Sequence, residues 1–201
     1  MKIICFDGNY HTLSEHRIEK YEPVLFLKPE TSLLKDKNPF FIPDHSKNIS
    51  PRINIILKIC RLGKNIQEKF AHKYYDEISV GVDLEATDTL KRCRDNQLPW
   101  EVAKAFEFSA PVGRFISKTE FLNLNNISFS IKKNGECLSF GNTSDMVFNF
   151  DKLVAHASKY MMLKMGDFIF TGSPAIQSTL QIDDKIECYL EERKLLSFHI
   201  K

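Results

Sequence analysis

Residues 52–60, Arg-Ile-Asn-Ile-Ile-Leu-Lys-Ile-Cys, put Ile53, Ile55, Leu57 and Ile59 on one side and Arg52, Asn54 and Lys58 on the other. A period of two is that of a pleated strand, so the stretch predicts a half-buried strand with one face in a core and the other against a cleft or water. Similar runs predict strands at 2–6, 24–28, 78–84, 104–108, 127–132, 136–140, 168–171, 185–190 and 195–200. Between two of them, Asn134-Gly135 supplies the positive φ angles of a tight hairpin turn. Helical spacing occurs twice. Phe70, Tyr74 and Ile78 mark 67–77, and Leu153, Val154, Ala157, Tyr160 and Met161 mark 150–163, which opens near Asp151. The pattern predicts an α+β fold, predominantly β, with two short helices on a sheet-rich body.

Composition narrows the function classes. The 201 residues are 43% hydrophobic and 27% charged, a balance suited to one folded domain over 1–201, and no repeat, linker or composition shift divides them. A formal net charge of +2 offers no basic stripe for nucleic acid. The first apolar run is broken at Asp7, too early for a signal peptide, and no stretch approaches the ~20 apolar residues that span a bilayer. A soluble, cytoplasmic chain with no membrane partner is expected. Five scattered cysteines form no C-x-x-C pair, and His11 with His16 stand five apart, off the spacing of a zinc helix, so a His/Cys metal site is not expected.

Four segments could carry chemistry. In Glu101-Val102-Ala103-Lys104-Ala105-Phe106-Glu107 a lysine interrupts an apolar stretch. It is either a functional or paired buried lysine, or the outward residue of an alternating strand. Val80–Asp88 ends a strand with Asp83, Glu85 and Asp88, a place for a hard cation or simply a solvated turn. Gly141–Met146 and Thr171-Gly172-Ser173-Pro174 bunch hydroxyls with glycine after strands, as oxyanion-binding turns and ordinary turns both do. There is no G-x-S-x-G elbow and no glycine-rich phosphate cradle.

Taken together, these segments resemble the fumarylacetoacetate hydrolase family in its short, single-domain form. The resemblance runs through Met1–Cys5 with Asn9-Tyr10, Glu22–Pro29, Asn38-Pro39-Phe40 with Ile42-Pro43, and Leu98-Pro99-Trp100 with Lys104-Ala105-Phe106. It continues through Ala110–Gly113 and Gly141–Met146 to Leu163–Pro174. It implies a mixed β-roll with a few short helices and a homodimer. It also implies hydrolysis, decarboxylation or isomerisation of oxo-acids by a Mg or Mn ion, which stabilises enolate-like charge. In the family a Glu-x-Glu pair and a later Asp hold that ion, and a His and a Glu on an N-terminal lid activate water.

Carried over position by position, the Glu-x-Glu pair falls on Arg52 and Asn54, and of the three metal positions only Asp83 keeps a carboxylate. The lid His falls on Leu13 and the lid Glu on His16, with His11 and Glu15 as neighbours. The family's Arg and Gln become Thr87 and Leu90, and the Gly-Arg before Asn-Tyr becomes Asp7-Gly8. Lys104, Thr143, Thr171 and Ser173 remain. One carboxylate beside a guanidinium is a poor magnesium site. The sequence therefore predicts no cofactor and a metal-free pseudoenzyme, with Lys104 in the catalytic position and Arg52, Asn54, Thr143, Thr171 and Ser173 around a small oxo-acid or dicarboxylate. Two alternatives stand beside it: an active enzyme in which Arg52 and Lys104 replace the ion, and a non-catalytic dimer partner of an active paralogue. Arg52 is expected either to bridge to Asp83 or to receive an anionic ligand, at a site carrying one net positive charge from Arg52, Asp83 and Lys104.

Overall fold

A computed structural model describes residues 1–10, 22–35, 37–174, 176 and 178–201; the lid positions at 11, 13, 15 and 16 lie outside them. Twelve strands carry the fold: β1 Ile3–Asp7, β2 Val24–Lys28, β3 Leu33–Lys35, β4 Ile49–Ile59, β5 Tyr75–Ala86, β6 Ala110–Val112, β7 Ile116–Ser117, β8 Ser128–Lys133, β9 Glu136–Asn142, β10 Phe168–Phe170, β11 Lys185–Leu190 and β12 Arg193–His199. Four helices accompany them: α1 Glu68–Ala71, α2 Thr87–Asp95, α3 Glu101–Lys104 and α4 Phe150–Tyr160. The predominantly β, α+β architecture is the expected one. Among the described residues no helix is long and apolar enough to cross a membrane.

The larger sheet runs β2-β1-β10-β4-β5-β6-β3, with β7 on β5, and the smaller runs β12-β11-β8-β9. Pairs β1–β10 and β3–β6 are parallel and the rest antiparallel. Alternation along β4 divides the core. Ile49, Ile53, Ile55, Leu57 and Ile59 join the main apolar cluster with Ile131, Leu153, Ile186 and Leu196 from α4 and the smaller sheet. Ile56 looks the other way, into a second cluster with Ile3, Cys5, Phe26, Val112 and Phe170. That second face also carries the polar residues, since Arg52 stands opposite Asp83, Ser50 opposite Glu85, and Lys28 opposite Ile3.

β2 lies four strands from β5, about 19 Å across a flat sheet, yet Lys28 Nζ reaches Asp83 Oδ1 at 2.7 Å. The sheet is therefore curled, and the curl brings the polar side chains of β1, β2, β4 and β5 together. Gly81 lets β4, β5 and β6 close up. A Cβ there would stand 2.2 Å from Ile56 Cδ1 and 2.7 Å from the Pro111 carbonyl oxygen. Because a backbone oxygen cannot swing aside, Gly81→Ala is expected to cost about 1–3 kcal/mol in urea unfolding; an unchanged midpoint would refute this tight packing.

Three sequence expectations are corrected. Residues 104–108 are not a strand: α3 ends at Lys104, and the chain turns through Phe108, whose φ of 58° is a costly region for an aromatic residue. The 67–77 helix is only the turn Glu68–Ala71, because pairing with β4 claims Tyr75 onward. Helices α2 and α3 are additional to the two expected, so the described residues hold four. The hairpin is as expected, with Asn134 at φ 54° and Gly135 at φ 90° joining β8 to β9.

Candidate functional site

Six charged side chains meet on the inner face of the curl. Lys28 Nζ donates to the carbonyls of Leu84, at 3.2 Å, and Ser109, at 3.0 Å, and to Ser109 Oγ at 3.0 Å. An ammonium has three protons, and these acceptors use all of them. The 2.7 Å contact with Asp83 is thus a charge contact without a hydrogen bond, and Asp83 Oδ1 is a buried acceptor with no donor of its own. Ser109 in turn donates from Oγ to the Lys104 carbonyl. The turn at Phe108, whose N–H donates to the Thr31 carbonyl, aims Ser109 at both lysines.

Lys104 lies on a helix rather than an outward strand face, and its side chain is 3% exposed. Its Nζ stands 2.9 Å from Glu85 Oε2 and 3.5 Å from Asp7 Oδ2, over the rings of Phe26 and Trp100. Arg52 Nη2 donates to Glu85 Oε1 at 3.4 Å, while its Nε is buried without an acceptor. The expected Arg52–Asp83 bridge is therefore corrected: Arg52 pairs with Glu85, because Lys28 already holds Asp83. The expected net charge is corrected too, since three cations and three carboxylates cancel.

Burial raises the Glu85 carboxyl, but Lys104 and then Arg52 outweigh it and hold its pKa below the ordinary value. Asp7 is lowered by the same balance, with burial again opposed by Lys104 and Arg52. Burial pulls Lys104 down, and Asp83, Asp7 and Glu85 together push it above its usual value. Carboxylates held ionised and an ammonium held protonated do not exchange protons near neutral pH.

The other sequence candidates spend their polar atoms internally. Asn54 Oδ1 accepts from Gly172 N–H at 2.8 Å and its Nδ2 donates to the Arg52 carbonyl. Thr171 Oγ1 donates to the Ile55 carbonyl, and Ser173 Oγ to the Pro174 carbonyl. Thr143 belongs to the turn after β9, donating to the Leu124 carbonyl and accepting from Ile127 N–H. Gly172 is needed as glycine: its φ is +97° and a Cβ would meet Asn9 Cβ at 2.7 Å. Asp88 is neither a cation ligand nor a solvated turn residue, since it accepts from Ser46 Oγ and from the N–H groups of Lys47 and Thr89.

The residues present do not fit a divalent ion. Among the described residues no three His, Cys, Asp or Glu side chains are grouped to hold one. The orphan Asp83 Oδ1 has an ammonium 2.7 Å away, where a second cation would be repelled. Sequence reasoning missed Lys28, Asp7 and Ser109, and it placed Glu85 only among the carboxylates of a possible cation site. A signal existed for Lys28, because period-two alternation in β2 puts it on the same face as the buried Phe26.

Residues 2–200 match the family model described as Fumarylacetoacetate (FAA) hydrolase C-terminal. The chain is 30% identical over 201 residues to the mitochondrial oxaloacetate tautomerase FAHD1 of Mus musculus, covering 99% of this chain and 91% of that one. It is 32% identical over 188 residues to the oxaloacetate tautomerase YcgM of Escherichia coli K12, covering 92% and 86%. Among solved structures, a fumarylacetoacetate hydrolase family protein of Yersinia pestis CO92 superimposes with a TM-score of 0.90 at 30% identity, covering 100% and 92%. The fold is shared with the fumarylpyruvate hydrolase of Pseudomonas aeruginosa, solved with Mn2+ and pyruvate, at TM-score 0.91 and 22% identity over 100% and 89% of the two chains.

Proposed function

The chain belongs to the fumarylacetoacetate hydrolase family, and we propose that it is a member that holds a small oxo-acid or dicarboxylate without a divalent ion and does not turn it over. One observation carries the reading: Lys28 and Lys104 occupy the two buried carboxylates, Asp83 and Glu85, at 2.7 and 2.9 Å. Fixed ammonium groups thus supply the positive charge that an ion would bring, and the carboxylates have none left to offer a metal. Arg52 is the one cation of the three with substantial exposure, 30% of its side chain. It is the group that an incoming carboxylate meets first, with a planar fork suited to two-point contact. The homodimer implied by the resemblance is part of the same proposal.

The names of the relatives favour a second reading, enol–keto conversion in which Arg52 and Lys104 stabilise the enolate. Of the charged groups at this centre, Asp7 and Glu85 are held ionised and Lys104 protonated, so none of these three serves it as a proton carrier near neutral pH. Both readings predict an unchanged melting temperature in millimolar Mg2+ or Mn2+, since a ligand that does not bind the native state cannot stabilise it. Saturable Mn2+ binding abolished by Asp83→Ala would overturn both. Oxaloacetate enol–keto conversion followed with EDTA present separates them. The buffer rate is expected, and an acceleration lost in Arg52→Ala would establish the second reading.

A further inference from the structure

A second concave site lies on the far side of the main core. The segment 65–68 and α4 enclose a groove of about 440 Å³, lined on the helix side by Lys152, Ala155, His156 and Lys159. Those positions are i, i+3, i+4 and i+7, one stripe of the helix, and the stripe is distinct from the apolar one of Leu153, Val154 and Ala157 that packs into the core. The opposite wall is held firmly: Asn65 N–H donates to the Ser158 carbonyl and Ile66 N–H to Ser158 Oγ. Ala155 has the smallest side chain of the stripe and lines the groove between the larger ones.

The charges around the groove favour an anion. Lys159 has no ion-pair partner among the described residues, and Lys64 Nζ donates to its carbonyl, adding a third ammonium at that end. Lys152 has only Glu68, at 3.7 Å, with both side chains more than 40% exposed, a pair that solvent weakens and a stronger anion displaces. His156 is buried between the rings of Phe6 and Tyr160. Burial first holds its pKa low; Glu22 opposes this, and Lys159 and Lys152 add to it, so both lysines are near enough to act on the ring. The imidazole is then an uncharged floor between two ammonium groups that stand seven residues, about 10 Å, apart along the helix.

We propose that this groove binds a small phosphate-bearing molecule, with Lys152 and Lys159 taking the phosphate groups and Ala155 and His156 forming the floor. Volume supports the size class, because pockets for small metabolites run from about 300 to 1,000 Å³. Lysine suits phosphate as a compact point charge with rotatable donors.

The test is titration of full-length protein with pyrophosphate and, separately, with ADP, read at the His156 ring resonances by NMR. Saturable shifts are expected from at least one. Tighter binding of ADP would show that the phosphate comes on a nucleotide, and equal binding that phosphate alone is recognised. Two variants locate the site. Lys152→Ala with Lys159→Ala removes the charge, and Ala155→Leu fills the groove while keeping both lysines; each should weaken binding at least about tenfold. No saturable shift up to about 10 mM of either probe, a limit weaker than most metabolite sites, would overturn the proposal. So would wild-type affinity in Ala155→Leu, which would mean simple attraction to surface lysines. A folded spectrum for each variant keeps these outcomes interpretable.

Discussion

Lys28→Met is expected to lower the unfolding free energy by about 3–5 kcal/mol, the range found when one partner of a buried ion pair is removed. The methionine keeps most of the stem's packing, so the loss measures the ammonium. That group is fully buried, stands 2.7 Å from Asp83, and satisfies three acceptors on Leu84 and Ser109. Without it, Asp83 becomes a buried carboxylate whose nearest charge partner is gone, with only the more distant Lys104 acting on it, and the Leu84 carbonyl loses its donor, while the Ser109 carbonyl keeps the Leu84 N–H. Adding Asp83→Leu should recover part of the loss by removing the stranded charge, while the Leu84 carbonyl stays unsatisfied. Urea unfolding of the wild type, the single variant and the double variant measures both steps. A single-variant loss below about 1 kcal/mol is the value of an exposed pair and would contradict the burial of Lys28.

How far the sequence reveals this centre can be judged from particular residues. The alternation in β4 is legible because Ile and polar residues follow a strict period, and it places Arg52 and Asn54 correctly on the face shared with Asp83. The hairpin at Asn134-Gly135 is legible because two positive φ angles demand those residue types. The pairing scheme is not legible. Glu85 reads as one of three carboxylates at a strand end, and only the curl of the sheet, a long-range property, brings Lys28 and Lys104 to that end. Lys104 fits a strand pattern and a helix pattern equally well over so short a stretch. The deciding contacts, with Phe26, Trp100 and Glu85, come from elements far away in sequence. Local periodicity therefore assigns faces well and partners poorly, because a partner depends on how distant strands close.

That dependence gives Lys104 a measurable signature in pH. Lys104→Met is expected to cost about 3 kcal/mol at neutral pH, for the same reason as the other buried pair, with little of it from Asp7, whose side chain is 47% exposed. In the wild type the Glu85 carboxyl is lowered on folding, so the unfolded chain binds the more protons on acidification. Its stabilisation is present above the ordinary Glu pKa of about 4.3 and is lost as pH falls through the lower folded value. In the variant, burial, the largest influence on Glu85, is opposed by Arg52 alone, at 3.4 Å. The folded carboxyl then rises above its ordinary value, and the native state takes up the proton first. Stability of the variant should therefore increase as pH falls from about 7 to about 5, while that of the wild type should not, and the gap between them should narrow. Lys104 contributes no pH dependence in this window: its pKa is raised, so its part is fully present below the ordinary lysine value of about 10.4 and is lost only above it. Urea midpoints of both proteins across that range decide the matter. A constant gap would mean that the ammonium is not what keeps Glu85 ionised, and the picture of a site neutralised by its own cations would fail at its centre.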